Sequence, residues 1–301
     1  MRCIRVGSRA SRLALVQADI IIGLLKEKFP QYTYEVIKIQ TMGDKILDKT
    51  LDKIGGKGLF VKEIQKALIE GTIDLAIHSM KDMPAESPEE LMLVAITKRE
   101  DPRDALVTRN NIGFDELPQQ AVIGSSSLRR QAQLLSLRRD LDIRAIRGNV
   151  ETRIKKLELE NMDGVILAVA GLKRLGLEEE IKHYFELEDF IPAVGQGALG
   201  CEIRRSDEEL KEMLTAINHA ESFGAVMAER SFLRVLEGGC HVPIGAYGKK
   251  EGNDLILTGM VATPDGEKIL KEQLRGSFYE YEGLGKALGE KLISLGAKEL
   301  L

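Results

Sequence analysis

The sequence predicts an α/β protein: two α/β domains followed by a small α+β domain with a three-stranded antiparallel sheet. Three observations lead to this prediction. In the first two thirds of the chain, short apolar runs alternate with segments of helical periodicity, as in largely parallel sheets covered by helices. Beyond Asn218, strand-like runs are separated by turn signals such as KKEGND and PDGE. The chain has 301 residues, which is enough for two or three domains.

The elements are predicted in the following order. The first α/β domain has strands at residues 3–7, 34–41, 73–78 and 93–96 and helices at 11–28 and 58–71. The second has strands at 121–125, 142–148 and 164–171 and helices at 127–139 and 150–160. The third begins with an amphipathic helix at 221–235, continues with strands at 243–248, 255–264 and 267–277, and ends with a helix at 283–300.

Composition excludes some classes of function. Lys and Arg number 43 against 47 Asp and Glu, so the net charge is −4 and no global basic field attracts nucleic acid or an anionic membrane. No apolar run approaches the length of a membrane span, and the N-terminal sequence lacks the layout of a signal peptide. We therefore expect a cytoplasmic protein with no nucleic-acid or membrane partner.

The three cysteines show neither disulfide nor metal spacing, and no metal site is expected. Cys3 and Cys201 lie in apolar, strand-like surroundings, where a buried small hydrophobic residue is the simplest interpretation. Cys240 differs because Gly238 and Gly239 precede it and allow close approach of a ligand to the backbone. The local pattern leaves two alternatives open, a cysteine that fills a tight turn and a nucleophile or attachment site.

Two glycine-rich stretches resemble nucleotide-binding loops. GQGALG, residues 195–200, matches the dinucleotide pattern but lacks a strand before it and a helix after it, so a crossing between domains fits better. IGGKGLF, residues 54–60, lacks the hydroxyl residue that a P-loop requires after its lysine. With Lys53, Lys57 and Phe60, this second stretch is predicted to be a mobile loop that closes over an anionic ligand.

Hydroxyl and basic residues follow several predicted strands. In open α/β sheets, ligands bind outside the carboxyl ends of strands, where helix N-terminal amides favour anions and arginine matches a carboxylate. For each of these residues taken alone, a solvated surface group is the better interpretation. The set as a whole predicts an anion site: Arg9, Ser11, Ser125, Ser127, Arg129, Arg130, Arg147, Arg153, Lys173 and Arg174. Asn149 is predicted to cap the helix that carries Arg153. The similar strand ends GSRASR and GSSSLRR suggest that the two α/β domains present equivalent loops to one cleft.

One acidic residue lies among these cations. In the stretch AIHSMKDMP, three residues lie at the end of a predicted strand: His78, Lys81 and Asp82. An acid beside a lysine is usually a weak surface pair. In an arginine-lined cleft, however, Asp82 is a candidate for proton transfer or for stabilising a developing cation. His78 is expected to be structural and hydrogen-bonded near the strand end.

The motifs together resemble one family over residues 5–245. The segments RVGSRASRLALVQ, GGKGLFVKEIQKAL, HSMKDMP, EDPRDA, GSSSLRRQ, RGNVETR, LAVAGLKRLG, PAVGQGALG and ERSFLRVLEGGCHVPIG are similar to those of the porphobilinogen deaminases, or hydroxymethylbilane synthases. The departures are small: Ser125 stands where threonine is frequent, and His241 where glutamine or arginine is common.

The resemblance implies an activity and a cofactor. Members join four porphobilinogen units head to tail with loss of ammonia, then release hydroxymethylbilane by hydrolysis. The chain grows on a covalently attached dipyrromethane cofactor, held here by a thioether to Cys240. The resemblance also implies that Asp82 is the catalytic carboxylate, which helps protonate the departing amine and stabilises the azafulvenium cation that remains. The family is usually monomeric.

The resemblance further assigns binding residues and a fold. Cofactor contacts are implied for Lys81, Asp82, Ser125, Ser127, Arg129, Arg130 and Arg147. Substrate contacts are implied for Arg9, Ser11, Arg147, Arg153, Arg174 and Gln196. The implied fold has two periplasmic-binding-protein-like α/β domains, residues 1–97 with 197–216 and residues 98–196, because the chain returns to the first domain near Gly197. A third domain, residues 217–301, carries the cysteine.

Two other classes of function are weighed against this one. A non-catalytic anion-binding module with a closing cleft explains the arginines, but it explains neither Asp82 nor Cys240. A nucleotide-dependent oxidoreductase would use GQGALG, whose sequence context argues against it.

Overall fold

The computed structural model describes residues 2–45, 61–237 and 242–301. The described chain divides into two units. Residues 2–45, 61–100 and 198–223 form the first, and residues 101–197, 224–237 and 242–301 form the second. The first unit is discontinuous in sequence. The domain limits stated above stay predictions.

The first unit contains a five-stranded sheet. Its strands are β1 (Cys3–Arg9), β2 (Thr33–Ile39), β3 (Leu75–Ser79), β4 (Leu91–Ile96) and β10 (Leu199–Arg204), in the spatial order β2-β1-β3-β10-β4. Strand β1 is parallel to β2 and β3, whereas β10 is antiparallel to its neighbours β3 and β4. The carboxyl ends of β1 and β3 therefore lie at one edge of the sheet.

The helices of the first unit are α1 (Arg12–Lys28), α2 (Met42–Lys45), α3 (Lys62–Ile69) and α7 (Glu208–Thr215). Helix α1 begins where predicted because the Ser11 side chain accepts a hydrogen bond from the Ala14 amide, which is an N-cap interaction. Its apolar face buries Ile21 and Leu25 against Ile4 of β1. Helix α3 corresponds to the helix predicted at residues 58–71, of which residues 58–60 lie outside the described residues.

The second unit contains a sheet of related topology. Its strands are β5 (Asp104–Thr108), β6 (Val122–Gly124), β7 (Asp142–Arg144), β8 (Gly164–Ala168) and β9 (Ile181–Tyr184), in the order β7-β6-β8-β5-β9. As in the first sheet, the strand that is fourth in spatial order is antiparallel to both of its neighbours; here it is β5. Strand β6 is parallel to β7 and β8. The helices are α4 (Leu128–Leu137), α5 (Val150–Leu159) and α6 (Val169–Arg174).

The C-terminal part of the second unit is the predicted α+β domain. Strands β11 (Ile244–Glu251), β12 (Asp254–Ala262) and β13 (Ile269–Ser277) form an antiparallel meander. Helices α8 (Ala220–Val235) and α9 (Tyr281–Ser294) contribute Phe232 and Leu288 to the apolar core that they share with this sheet. The predicted fold class, two α/β domains and a three-stranded antiparallel sheet, is confirmed.

Several local predictions are wrong. Strand β8 ends at Ala168, and the rest of the predicted strand is helix α6. The C-terminal helix ends at Ser294, because Gly296 adopts a left-handed conformation with φ of 93° before a 3₁₀ turn, Ala297–Leu300. Cys3 is exposed rather than buried, whereas Cys201 is buried as expected. Among the described residues, no helix is long and apolar enough to cross a membrane.

Candidate functional site

The first group of predicted site residues lies at the carboxyl edge of the first sheet. Arg9 is the last residue of β1, and Ser11 caps the helix that follows. A 3₁₀ turn, Met80–Asp82, follows β3 directly and carries Lys81 and Asp82. Because β1 and β3 are paired in parallel, these residues emerge from neighbouring strands at the same edge.

Arg9 is oriented by an acidic residue that the sequence did not single out. Its Nη2 atom donates to Asp44 Oδ1 at 2.5 Å, and the Thr41 hydroxyl donates to Asp44 Oδ2 at 2.7 Å. Burial raises the pKa of Asp44, but the hydrogen bonds from Arg9 and Thr41 outweigh that effect and hold it below its ordinary value. Asp44 is therefore ionised at neutral pH and fixes the guanidinium.

Asp82 has a different environment from Asp44. Its side chain is half-buried, and within the described part of the chain no side chain is hydrogen-bonded or ion-paired to it. Lys81, next to it, is also half-buried. His78 has the structural character expected of it, because its Nε2 atom lies 2.9 Å from the buried Glu202 Oε2 atom. The carboxylate of Asp82 is thus available to a ligand at this edge.

The second group lies at the carboxyl edge of the second sheet. Ser125 and Ser127 follow β6, and the Ser127 hydroxyl caps α4 by accepting from the Arg130 amide. Arg147 lies between β7 and α5. Asn149 caps α5 as predicted, since its side chain accepts from the Thr152 amide at 2.8 Å.

Arg129 and Arg130 converge on one buried acid, Asp104, at the start of β5. Arg129 Nη2 donates to Asp104 Oδ2 at 2.8 Å, and Arg130 Nη2 donates to Oδ1 at 2.6 Å. The three side chains are 4%, 8% and 0% exposed. Burial lowers the pKa of Arg129, although Asp104 opposes this effect. Two guanidinium groups share one carboxylate, so these three side chains carry one excess positive charge.

That excess charge fits a bound carboxylate. A buried charge is costly unless it is paired and hydrogen-bonded. A dipyrromethane with acetate and propionate groups would supply a second negative charge for these two guanidinium groups. The residues present therefore suit the cofactor that the family resemblance implies.

Two further predicted residues of the second unit, Arg153 and Arg174, contact backbone carbonyls. Arg153 Nε donates to the Gly148 carbonyl at 2.9 Å, and Arg174 Nη2 donates to the Gly197 carbonyl at 2.6 Å. Gln196 Nε2 donates to Asp104 Oδ1 at 3.0 Å, which joins it to the Arg129–Arg130 cluster. Cys240, Lys53, Lys57 and Phe60 lie outside the described residues.

Sequence reasoning missed Asp44, Asp104 and Glu202 as members of these clusters. The sequence did contain a signal for Asp104, because this residue belongs to the EDPRDA segment that carries part of the family resemblance. Asp44 and Glu202 had none, because each is brought to its partners by chain folding from distant sequence.

The fold and these clusters define a class of protein: an α/β protein with basic side chains at the carboxyl edges of its sheets and, at one edge, a carboxylate, Asp82, without a hydrogen-bonding partner among the described residues. Residues 4–212 match the family described as porphobilinogen deaminase, dipyrromethane cofactor-binding domain, and residues 223–294 match its C-terminal domain. The chain belongs to the porphobilinogen deaminase family. Its activity is that of the family: head-to-tail joining of four porphobilinogen units on a dipyrromethane cofactor and hydrolytic release of hydroxymethylbilane.

Individual relatives are similar over nearly the whole chain. A porphobilinogen deaminase of Alkaliphilus metalliredigens is 69% identical over 301 residues, which cover 100% of this chain and 95% of the relative. One of Geobacter metallireducens is 53% identical over 298 residues, covering 99% and 93% of the two chains. Among solved structures, a nutrient binding protein of Burkholderia cenocepacia bound to methionine gives a TM-score of 0.44 at 14% identity, covering 70% of this chain and 89% of that one.

Proposed function

We propose that Asp82 is the catalytic carboxylate of this reaction and that Cys240 carries the dipyrromethane as a thioether. One observation carries the role of Asp82: it is a half-buried carboxylate without a hydrogen-bonding partner among the described residues. It lies beside Lys81 in the turn that follows β3, and β3 is paired with β1, the strand that ends in Arg9. The other acid at this edge, Asp44, is bound to Arg9 and Thr41. Asp82 is therefore the better group for proton transfer.

The proposed chemistry of Asp82 has two parts. The aminomethyl group of porphobilinogen leaves as ammonia, and a carboxyl group in hydrogen-bonding reach helps to protonate it. The cation that remains on the pyrrole is then stabilised by the carboxylate that has given up its proton. When bound, the cofactor supplies the pyrrole carbon on which the chain is extended.

The other predicted residues bind and orient the carboxylate groups of both ligands. For the cofactor these are Lys81, Ser125, Ser127, Arg129, Arg130 and Arg147. For the substrate they are Arg9, Ser11, Arg147, Arg153, Arg174 and Gln196. Support comes from the position of these residues at carboxyl edges of strands and from the excess positive charge of the Arg129–Arg130–Asp104 cluster.

The substrate porphobilinogen is the one partner that the family implies. We propose that the protein acts as a cytoplasmic monomer and binds neither nucleic acid nor membrane. Its net charge of −4 supports the last point, because attraction to these polyanions requires a basic surface. The alternative of a non-catalytic anion-binding module is not favoured, since the chain belongs to a family of enzymes.

Replacement of Asp82 by Asn tests the proposal. The isosteric amide cannot transfer the proton, so we expect kcat to fall by about 10² or more, with the cofactor still attached. Glu86→Gln is the matched control, because it removes an exposed carboxylate four residues further along the same loop. Activity and intact mass are measured on both variants. Near-normal turnover in Asp82→Asn removes Asp82 from the mechanism.

A further inference from the structure

A buried polar cluster surrounds Glu202 of strand β10. The Glu202 side chain is 0% exposed and His78 on β3 is 3% exposed, and the two are joined by the 2.9 Å contact between His78 Nε2 and Glu202 Oε2. Gln65 of α3 donates from Nε2 to Glu202 Oε1 at 3.0 Å.

Strand pairing explains why these residues meet. Strands β3 and β10 are antiparallel, with Glu202 opposite Ala76 and Gly200 opposite His78. Opposite residues of an antiparallel pair point to the same face, so Glu202 and His78 project together. This face is covered by α3, whose Ile64 and Leu68 pack with Ala76. The cluster is therefore enclosed between the sheet and one helix.

A buried carboxylate is a poor means of stabilising the folded state. Burying a charge is costly, and apolar replacements of buried ion pairs are often as stable or more stable. Burial raises the pKa of Glu202, but the hydrogen bonds to it, that of His78 above all, more than offset the effect of burial, so its pKa lies below the ordinary value. A buried, ionised and fully bonded carboxylate is well suited to hold its partners in one arrangement.

One partner of Glu202 lies on the strand that leads into the turn that carries Asp82. His78 is four residues before Asp82, and Ser79 alone separates it from the 3₁₀ turn Met80–Asp82. The chain between His78 and Asp82 is held at two further points: the Met80 amide donates to the Ala198 carbonyl at 3.0 Å, and the Ser79 hydroxyl donates to Gln17 Oε1 at 3.1 Å. Glu202 thus holds the end of β3 from which this turn starts.

We propose that Glu202 is a positioning residue: by binding His78, at the end of the strand that leads into the catalytic turn, it holds Asp82 in the position that catalysis requires. The inference rests on the catalytic role proposed for Asp82. Glu202 contacts neither ligand in this proposal, and it acts only through His78 and the backbone of residues 79–82.

The first test is Glu202→Gln, which keeps the shape of the side chain but loses the charge and one acceptor. Because small displacements of a reacting group are costly in rate, we expect kcat per mole of cofactor-bearing protein to fall by about tenfold or more. KM for porphobilinogen and the intact mass should stay unchanged, because the residues proposed to bind substrate and cofactor are elsewhere. An unchanged kcat overturns the proposal.

Asp74→Asn provides the matched control. Asp74 is also buried, and it binds Arg5 at 2.8 Å and Arg204 at 2.9 Å, but it lies just before the opposite end of β3. This variant should lower the melting temperature and leave kcat unchanged. If kcat falls in both variants in proportion to their loss of stability, Glu202 has a structural role only.

A double-mutant comparison separates this inference from the proposed function. If Glu202 acts through Asp82, Glu202→Gln should have little further effect on kcat in the Asp82→Asn protein, whereas independent effects would multiply. Multiplying effects overturn the positioning role alone. Normal turnover of Asp82→Asn overturns the catalytic role on which the inference rests.

His78→Phe keeps the test decisive if Glu202→Gln does not fold. This variant keeps a flat ring and removes the nitrogen that lies 2.9 Å from Glu202 Oε2. We expect a fall in kcat of about threefold or more at unchanged KM and unchanged intact mass. A wild-type kcat in His78→Phe would overturn the proposal in that case.

Discussion

At the scale of single residues, the three cysteines differ in what surrounds them. Cys3 is exposed at the start of β1, whereas Cys201 is fully buried in β10, where burial raises the pKa of its thiol to about 12. A thiol must ionise to react as a nucleophile, so Cys201 is inert in the folded protein. Cys201 therefore does not compete with Cys240, the proposed cofactor attachment site.

The first prediction is a thiol count that identifies the attachment site. Native protein should show one reactive thiol, Cys3, and unfolded protein should show two of its three cysteines, because a thioether at Cys240 does not react. The intact mass should exceed that of the sequence by a two-pyrrole unit, which digestion places on the Cys240 peptide. Cys240→Ser should lose the added mass and the activity. A third reactive thiol, counted after a fully active preparation is unfolded, would contradict the thioether.

The second prediction distinguishes two kinds of arginine. Arg9→Leu and Arg153→Leu should stall substrate addition, each losing a charge-assisted interaction of roughly 1.5–3 kcal/mol, while the cofactor stays attached. Arg129→Leu and Arg130→Leu should disturb cofactor assembly. They should also lower the free energy of unfolding by about 3–5 kcal/mol, because the buried Asp104 loses a partner. Mass analysis with substrate and urea unfolding measure both effects. Wild-type behaviour of all four variants contradicts carboxylate binding by these residues.

At the scale of elements, glycines allow helices α8 and α9 to approach closely. A Cβ atom on Gly285 of α9 would collide with the Ala228 carbonyl of α8, and one on Gly289 would lie 2.7 Å from Val235 Cβ. Helix α8 leads directly to the segment that contains Cys240. The contact therefore ties the C-terminal helix to the helix that precedes the proposed attachment site.

The third prediction compares two glycines of the same helix. Gly285→Ala should lower the free energy of unfolding by about 1–3 kcal/mol, because the added methyl group meets backbone and the helices must separate. Gly283→Ala is the control, since nothing lies within 4 Å of its Cβ position. Alanine there should raise the free energy of unfolding by about 0.5–1 kcal/mol through helix propensity. Equal changes in the two variants, measured by urea unfolding, would contradict close packing at Gly285.

The elements that the sequence predicted are those with a strong local pattern. Helix α1, with its Ser11 cap, and the meander β11–β12–β13 follow from periodicity and turn residues alone. Strands β5 and β9 were not predicted. They have only five and four residues, and they are stabilised by pairing, β9 with β5 and β5 with β8. The same limit applies to the site. Asp82 follows a recognisable strand, whereas the link between Glu202 and His78 depends on the register of β10 against β3.

At the scale of the whole molecule, the two five-stranded sheets share one design. Each has three strands in parallel pairing followed by an antiparallel fourth strand, β10 in the first sheet and β5 in the second. Strand β10 comes from sequence beyond the second sheet, which makes the first unit discontinuous. Asp104 stands at the start of the corresponding antiparallel strand of the second sheet, where it receives both arginines.

The fourth prediction follows from that cluster and concerns the stability of the whole protein without its cofactor. Contacts made in the folded state alone stabilise that state, so the Cys240→Ser protein should melt at a lower temperature than the cofactor-bearing protein. The excess positive charge of Arg129, Arg130 and Asp104 gives this loss of stability an electrostatic origin.

Acetate or succinate should therefore raise the melting temperature of Cys240→Ser more than chloride at equal ionic strength, and should have little effect on the cofactor-bearing protein. In Cys240→Ser/Arg130→Leu the response to carboxylates should disappear, because the excess charge is gone. Equal melting temperatures with and without cofactor, or an equal response to both kinds of anion, would contradict cofactor binding by this cluster.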